Sequence, residues 1–231
     1  MITILLPVYN DEEFLAYTIK SILNQDFVDY KCLIAFNGTI DSSREIAKFL
    51  IGDDNRFNII DYGKDKGKAK TLNKLLSIVD TKYISLIDGD DLWEKNKLKL
   101  QIEICEDFDV IGTLAYYIDI DNNRTNALYL DQNDIEIRSG FSLGHNQIIN
   151  SSSLFRTSDA IEIGGWDETV EGMEDFDFWI RLSKKNKTFH NIQKILVSHR
   201  IHSKSNFNAK QLPFTIQDIL NKNKYLYQIK K

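Results

Sequence analysis

A chain of 231 residues, 42% hydrophobic and 11% aromatic, can bury a sizeable core without disulfide or metal staples, and a single compact domain is expected. The net charge of −5 and pI of about 5.4 disfavour a general nucleic-acid binder. No run approaches the roughly twenty apolar residues that cross a bilayer, and the short apolar run after Met1 lacks the basic leader of a signal sequence. Cys32 and Cys105 show no metal or redox spacing. They read as reduced core residues, so a cytoplasmic location is expected.

The first hundred residues alternate short apolar runs with helical patterns, the mark of βα units feeding a largely parallel α/β sheet. A strand at Thr3–Leu6 leads to a helix carrying Phe14, Leu15, Ile19, Ile22 and Leu23, with Asn10 and Glu13 spaced as a helix start. A strand at Lys31–Phe36 follows, then a helix opened by Ser42 and Glu45. Next come a strand at Phe57–Ile60, a helix after Gly67 with Leu72, Leu75 and Leu76 inward, and a strand at Tyr83–Ile87. Beyond Trp93 a helix through Leu98, Leu100, Ile102 and Ile104 is predicted.

Residues 110–149 give no clean period and read as irregular with added strands. Order returns at "SSSLFR", a short helix, "GGWDE", a helix over Glu174–Lys184, a strand at Ile195–Ile201 and a C-terminal helix over Leu212–Tyr227. The basic clusters "KDKGKAK", "KNKLK" and "KKNK" read as solvated faces.

"LIDGDD" places Asp88, Asp90 and Asp91 beyond the carboxyl end of the fourth strand, where open α/β sheets bind ligands. Carboxylates spaced this way suit Mg2+ or Mn2+ on a diphosphate, with Gly89 letting backbone turn closely under a ligand. Taken alone, the same residues also make a turn in which Asp90 or Asp91 caps a following helix.

Several segments in order resemble the family 2 glycosyltransferases. "ILLPVYNDEEFLAYTIKSILNQDF" is similar to the family's opening, through Pro7, Tyr9, Asn10, Glu12, Ser21, Ile22 and Gln25. "NGTIDSS", "KGKAKTLNKLL" and "LIDGDD" resemble its Asp-Asp-Gly-Ser, Gly-x-x-x-Ala-x-Asn and Asp-x-Asp segments. "GGWDETVEGMEDFDFWIRL", with Glu174, Asp175, Asp177, Trp179 and Arg181, and "HRIHSKS" resemble later ones.

The resemblance implies a GT-A type α/β fold: a mostly parallel, Rossmann-like sheet with helices on both faces and a small mixed second sheet. It implies a nucleotide-binding half over about residues 1–91, an acceptor-binding half over about 92–205 and a C-terminal helix over about 206–231. The implied activity is inverting transfer of a sugar from a nucleotide-diphosphate sugar to an acceptor hydroxyl, assisted by Mn2+ or Mg2+. Asp175 matches the general base, Asp90 the metal ligand, and Asp88 the ribose and metal-shell position. Pro7, Tyr9, Glu12 and Gly89 belong to the nucleotide pocket by the same match, and Lys68 aligns with a lysine that approaches the phosphates in some relatives. His202 is a second metal ligand or a donor to the diphosphate, or a structural histidine.

Phe36 and Asn37 depart from the family's two aspartates, so the donor base stays open, with a UDP-sugar favoured because Asn37 can meet a uracil edge. The absence of a membrane segment argues against a processive synthase. A glycan or lipid-linked glycan is the expected acceptor; peripheral membrane association stays open, and nucleic acid is disfavoured. Trp166 and Trp179 are candidates to stack on a sugar, Trp179 at core spacing. The alternatives are a Mg2+-dependent phosphohydrolase with Asp88 as nucleophile, or a non-catalytic nucleotide-sugar binder.

Overall fold

The structure is a computed structural model that describes residues 1–63, 67–170, 172–203 and 213–225. Strand β1 (Ile2–Val8), helix α1 (Leu15–Leu23), β2 (Tyr30–Phe36), α2 (Ser43–Ile51), β3 (Phe57–Asp61), α3 (Lys68–Leu76) and β4 (Tyr83–Leu86) succeed one another as the alternation predicts. β1 pairs in parallel with β2 and β4, and β2 with β3. The carboxyl ends of all four strands therefore lie at one edge of the sheet. Almost every β1 side chain is buried, because helices cover both faces. Ile2, Ile4, Leu6 and Val8 pack with residues of α1 and α2, and Leu5 packs with α3.

The second half adds β5 (Leu92–Trp93), α4 (Lys97–Ile102), β6 (Val110–Ile118), β7 (Arg124–Leu128) and α5 (Asp134–Ser142). A 3-10 turn (Asn150–Ser152), β8 (Leu154–Arg156), α6 (Thr157–Glu162), α7 (Glu174–Lys184), β9 (Phe189–Arg200) and α8 (Ile216–Lys222) complete it. The sheet runs β3-β2-β1-β4-β8-β6-β9-β5, with β7 also on β6. Strand β8, antiparallel to both β4 and β6, joins the parallel part to the mixed part. No helix among the described residues is long and apolar enough to cross a membrane.

Several expectations need correction. Asn10 does not cap α1: it lies at φ 56, its Oδ1 accepts the Ile40 N–H at 2.9 Å, and α1 starts at Leu15 with no side-chain cap. Ser42 also leaves α2 uncapped, and Asp41 Oδ1 takes the Ser43 N–H at 3.1 Å instead. Residues 110–149 are more regular than predicted, holding the nine-residue β6 and the helix α5. Asn133 Oδ1 accepts the Glu136 N–H, so an Asn-x-x-Glu start was present in the sequence but obscured by surrounding polar residues. Strand β9 begins six residues before the expected Ile195, at Phe189. Part of the predicted C-terminal helix, including Leu212 and Tyr227, lies outside the described residues, and α8 covers only Ile216–Lys222.

Candidate active site

The turn after β4 carries the acidic cluster, and each carboxylate meets a different partner. Asp91 is fully buried, with its oxygens 3.0 and 3.1 Å from His199 Nδ1 and accepting the Arg200 N–H at 2.8 Å. It caps no helix, since β5 follows and α4 starts only at Lys97. Arg200 closes the turn, donating through Nε to the Asp90 carbonyl at 2.8 Å and through Nη1 to the Asp119 carbonyl at 2.6 Å. Burial alone would lower the His199 pKa, but Asp91, with Asp90 and Asp88 behind it, lifts it to about 9.

Asp90 points the other way, its Oδ2 lying 3.0 Å from His202 Nε2. Asp88 Oδ1 is 2.5 Å from Lys68 Nζ, and both Asp88 oxygens lie within 3.3 Å of Asn150 Nδ2. The Asp88 N–H donates to Ser151 Oγ at 3.0 Å. A Cβ at Gly89 would lie 2.3 Å from Asp11 Oδ2, so the absence of a side chain there lets Asp11 close against the turn. Burial pushes the Asp11 carboxyl up to about 7, with Asp90, Asp88 and Asp41 adding to the rise.

Helix α7 presents Asp175 in its first turn. Its Oδ1 accepts the Phe176 N–H at 2.7 Å and its Oδ2 accepts from Asn146 Nδ2 at 3.0 Å. Burial raises the Asp175 pKa against the opposing pull of the Lys68 ammonium, and burial raises Glu174 in the same way. Burial disfavours the Lys68 charge, yet Asp88, Glu174 and Asp175 together hold that ammonium well above the usual lysine range. One cation thus lies between the aspartate turn and the start of α7. That corrects the reading of "KGKAK" as a wholly solvated face.

On the side where the resemblance places the nucleotide, Pro7 is half-buried and Tyr9 is 61% exposed at the end of β1. Glu12 Oε2 accepts the Ser42 N–H at 3.0 Å, tying the two loops. Asn37 is buried; its Nδ2 donates to Thr71 Oγ1 at 2.6 Å and to the Gly67 carbonyl at 3.3 Å, while Oδ1 is buried and has no partner among the described residues. An open recess of about 540 Å³ lies beside this loop, lined by Asn10, Glu12, Glu13, Ile40 and Asp41. Neither Asp90 nor Asp175, the expected metal ligand and base, lines it.

Other assignments move. Trp166 and Trp179 are both core residues; Trp166 stacks on Phe178 with centroids 4.5 Å apart, which removes it as a sugar platform. Lys97 of "KNKLK" is fully buried rather than solvated, donating to Ser85 Oγ at 3.0 Å and Gln101 Oε1 at 2.8 Å. Asp11, Asn146, Asn150, Ser151 and Arg200 were not singled out by the sequence. The polar run "NSSS" before β8 was the available signal for Asn150 and Ser151, whereas Asn146 and Asp11 had none.

The metal implied by the resemblance finds one oxygen and one nitrogen donor, Asp90 Oδ2 and His202 Nε2, already converging. Among the described residues no three His, Cys, Asp or Glu side chains gather into a cation site. That fits Mn2+ or Mg2+ drawing its remaining oxygens from a diphosphate and water rather than from a protein cage.

The uncharacterized glycosyltransferase MJ1057 of Methanocaldococcus jannaschii is 27% identical over 213 residues, covering 90% of this chain and 73% of that protein. S. aureus TarS 1-349 in complex with UDP-GlcNAc matches with a TM-score of 0.75 at 15% identity, over 91% of this chain and 61% of its own. The mannosyltransferase PcManGT from Pyrobaculum calidifontis, in complex with GDP-Man and Mn2+, matches with a TM-score of 0.69 at 12% identity, over 89% and 58%. This chain spans less than two thirds of either solved chain, and shares with them the GT-A type α/β fold. A model of glycosyl transferase family 2 matches residues 3–162, more than half of the sequence, and the chain belongs to that family.

Proposed function

We propose that this chain is an inverting glycosyltransferase that moves a sugar from a nucleotide-diphosphate sugar to an acceptor hydroxyl, with a divalent cation, in surface glycan assembly. The observation that carries this reading is Lys68, whose ammonium pairs with Asp88 and also feels the charges of Glu174 and Asp175. A leaving-group side and a base side therefore face one another across a cation suited to a diphosphate.

In this reading residues 1–91 hold the nucleotide and residues 92–205 the acceptor, a glycan or lipid-linked glycan. Asp90 and His202 would hold the metal, Mn2+ or Mg2+, which would supply Lewis-acid stabilisation of the charge on a departing diphosphate. Gly89 brings backbone close to the donor, Asp88 meets the ribose, and Pro7, Tyr9 and Glu12 border the nucleoside. Asp175 removes the proton of the acceptor hydroxyl as that oxygen attacks the anomeric carbon opposite the leaving group.

Asn37 favours a uracil donor. Its amide hydrogens are committed to Thr71 and Gly67, which leaves Oδ1, buried and without a partner among the described residues, as the acceptor that an entering base would have to reach. It suits the N3–H of uracil and not the bare N3 of cytosine. The test offers UDP-, GDP-, TDP- and CMP-sugars with Mn2+ and follows nucleotide release beside Asp175→Asn. The expected result is metal-dependent release from a UDP-sugar, at least about 100-fold slower in the variant. Inorganic phosphate released from simple phosphoesters, with no nucleotide released from any sugar donor, would sink the reading.

A further inference from the structure

Asp175 lies in the first turn of α7, where backbone fixes one of its oxygens and leaves the other to be aimed. Oδ1 is held by the Phe176 N–H at 2.7 Å. Among the described residues Oδ2 meets one side chain, the Asn146 amide at 3.0 Å, which arrives from the loop after α5 and belongs to no motif of the sequence.

That amide has a determined orientation. Asn146 Oδ1 accepts the Ile148 N–H at 3.2 Å, so its NH2 group must be the end that faces Asp175. The loop behind it is anchored on both sides. The His145 N–H reaches the Gly140 carbonyl at 2.8 Å, and Gln147 Oε1 accepts the Asp131 N–H at 3.1 Å. The Gln147 carbonyl takes Asn191 Nδ2 at 2.8 Å, and its side chain packs where a Cβ on Gly140 would stand 2.5 Å from Nε2. Ile148 is fully buried in the core. A rigid support of this kind is what holds a reacting group in a productive pose.

We propose that Asn146 is a positioning residue for the general base: it donates to Asp175 Oδ2, fixes the rotamer of the carboxylate and keeps it ready to accept the acceptor's proton. The inference rests on the glycosyltransferase reading above. A permanent donor that carries no removable charge stabilises the ionised carboxylate without taking the proton itself. It opposes burial, and it acts beside Lys68 from α3, Asp88 from the β4 turn and Glu174 from α7, the other charged groups felt by Asp175 or by its Lys68 neighbour. Asn146 is itself exposed, so its loss costs the fold little. A role in catalysis can therefore be separated from one in stability.

The test uses the full chain with Asn146→Ala and the isosteric Asn146→Asp. Two quantities are read: the Asp175 carboxyl titration by carbon-13 NMR, assigned with Asp175→Asn, and Mn2+-dependent UDP release, against pH, from the UDP-sugar that the donor panel identifies. The expected result is an Asp175 titration raised by about one pH unit in Asn146→Ala and further in Asn146→Asp. With it should come a fall in kcat of about 10- to 100-fold, donor KM near that of the unaltered chain, and melting temperatures within about 2 °C of it. An unchanged titration in both variants overturns the proposal even if Asp175→Asn is inactive. Full activity of Asp175→Asn overturns the base assignment itself and, with it, this role for Asn146.

Discussion

Gly89 shows how one missing side chain organises the aspartate turn. A Cβ there would stand 2.3 Å from Asp11 Oδ2 and 2.8 Å from its Cγ, so Gly89→Ala must push Asp11 and the turn apart. The Asp11 carboxylate is in turn tied to the Tyr9 N–H at 3.1 Å, which passes the displacement to the loop after β1. Nucleotide release should fall by roughly 10- to 100-fold in Gly89→Ala, and Gly89→Ala/Asp11→Ala should recover part of it because the obstructing carboxylate is gone. A double variant no faster than the single one would show that the collision is not the cause. At this scale the sequence offered Asp88, Asp90, Asp175 and His202 as candidates, through motifs in the family's order, and the structure sets them in the turn after β4, at the start of α7 and after β9. It could not display Asp11 or Asn146, whose places depend on chain segments far apart in sequence meeting at one edge.

Among the elements, the regular βα units were legible because buried strands read as continuous apolar runs and their helices as periodic ones. β6, β7 and α5 were not: the buried β6 is interrupted by Gly112 and Thr113, β7 is largely exposed, and α5 has a mixed face. α4 misled in a different way: its Lys97 lies in a basic run, yet it is buried with its Nζ 3.9 Å from the Trp93 ring centroid. Burial pushes that amine well below the usual lysine range. Its partner Gln101 donates to the Ile111 and Ser152 carbonyls at 2.9 and 2.7 Å, and Trp93 Nε1 donates to the Ser151 carbonyl at 2.6 Å. The network thus braces the segment whose Asn150 and Ser151 hold Asp88. Lys97→Ala removes two donated hydrogen bonds and the ring contact and opens a cavity, so a loss of about 2–4 kcal/mol is expected in urea unfolding. A loss below about 0.5 kcal/mol would mean that the network bears no weight.

At the scale of the whole molecule, the two halves are stitched by β8 and by the end of β9, which returns beside the aspartate turn. The Asp91–His199 pair is the charged part of that stitch, with Asp91 fully buried and the His199 side chain 26% exposed. His199 has a folded pKa of about 9 against an ordinary 6.5, so the folded state binds its proton more tightly than the unfolded chain. The stabilisation is fully present below about pH 6.5 and is lost as pH rises through about 9. Unfolding free energy measured by denaturant should therefore drop across that window, with this pair contributing on the order of 2–3 kcal/mol. His199→Gln, which keeps a donor for Asp91 but cannot titrate, should flatten that part of the profile. It should lower stability at about pH 6 more than at about pH 9.5, where the native histidine has already lost its proton. Equal losses at both pH values would assign the stitch to packing and to the Arg200 N–H rather than to charge.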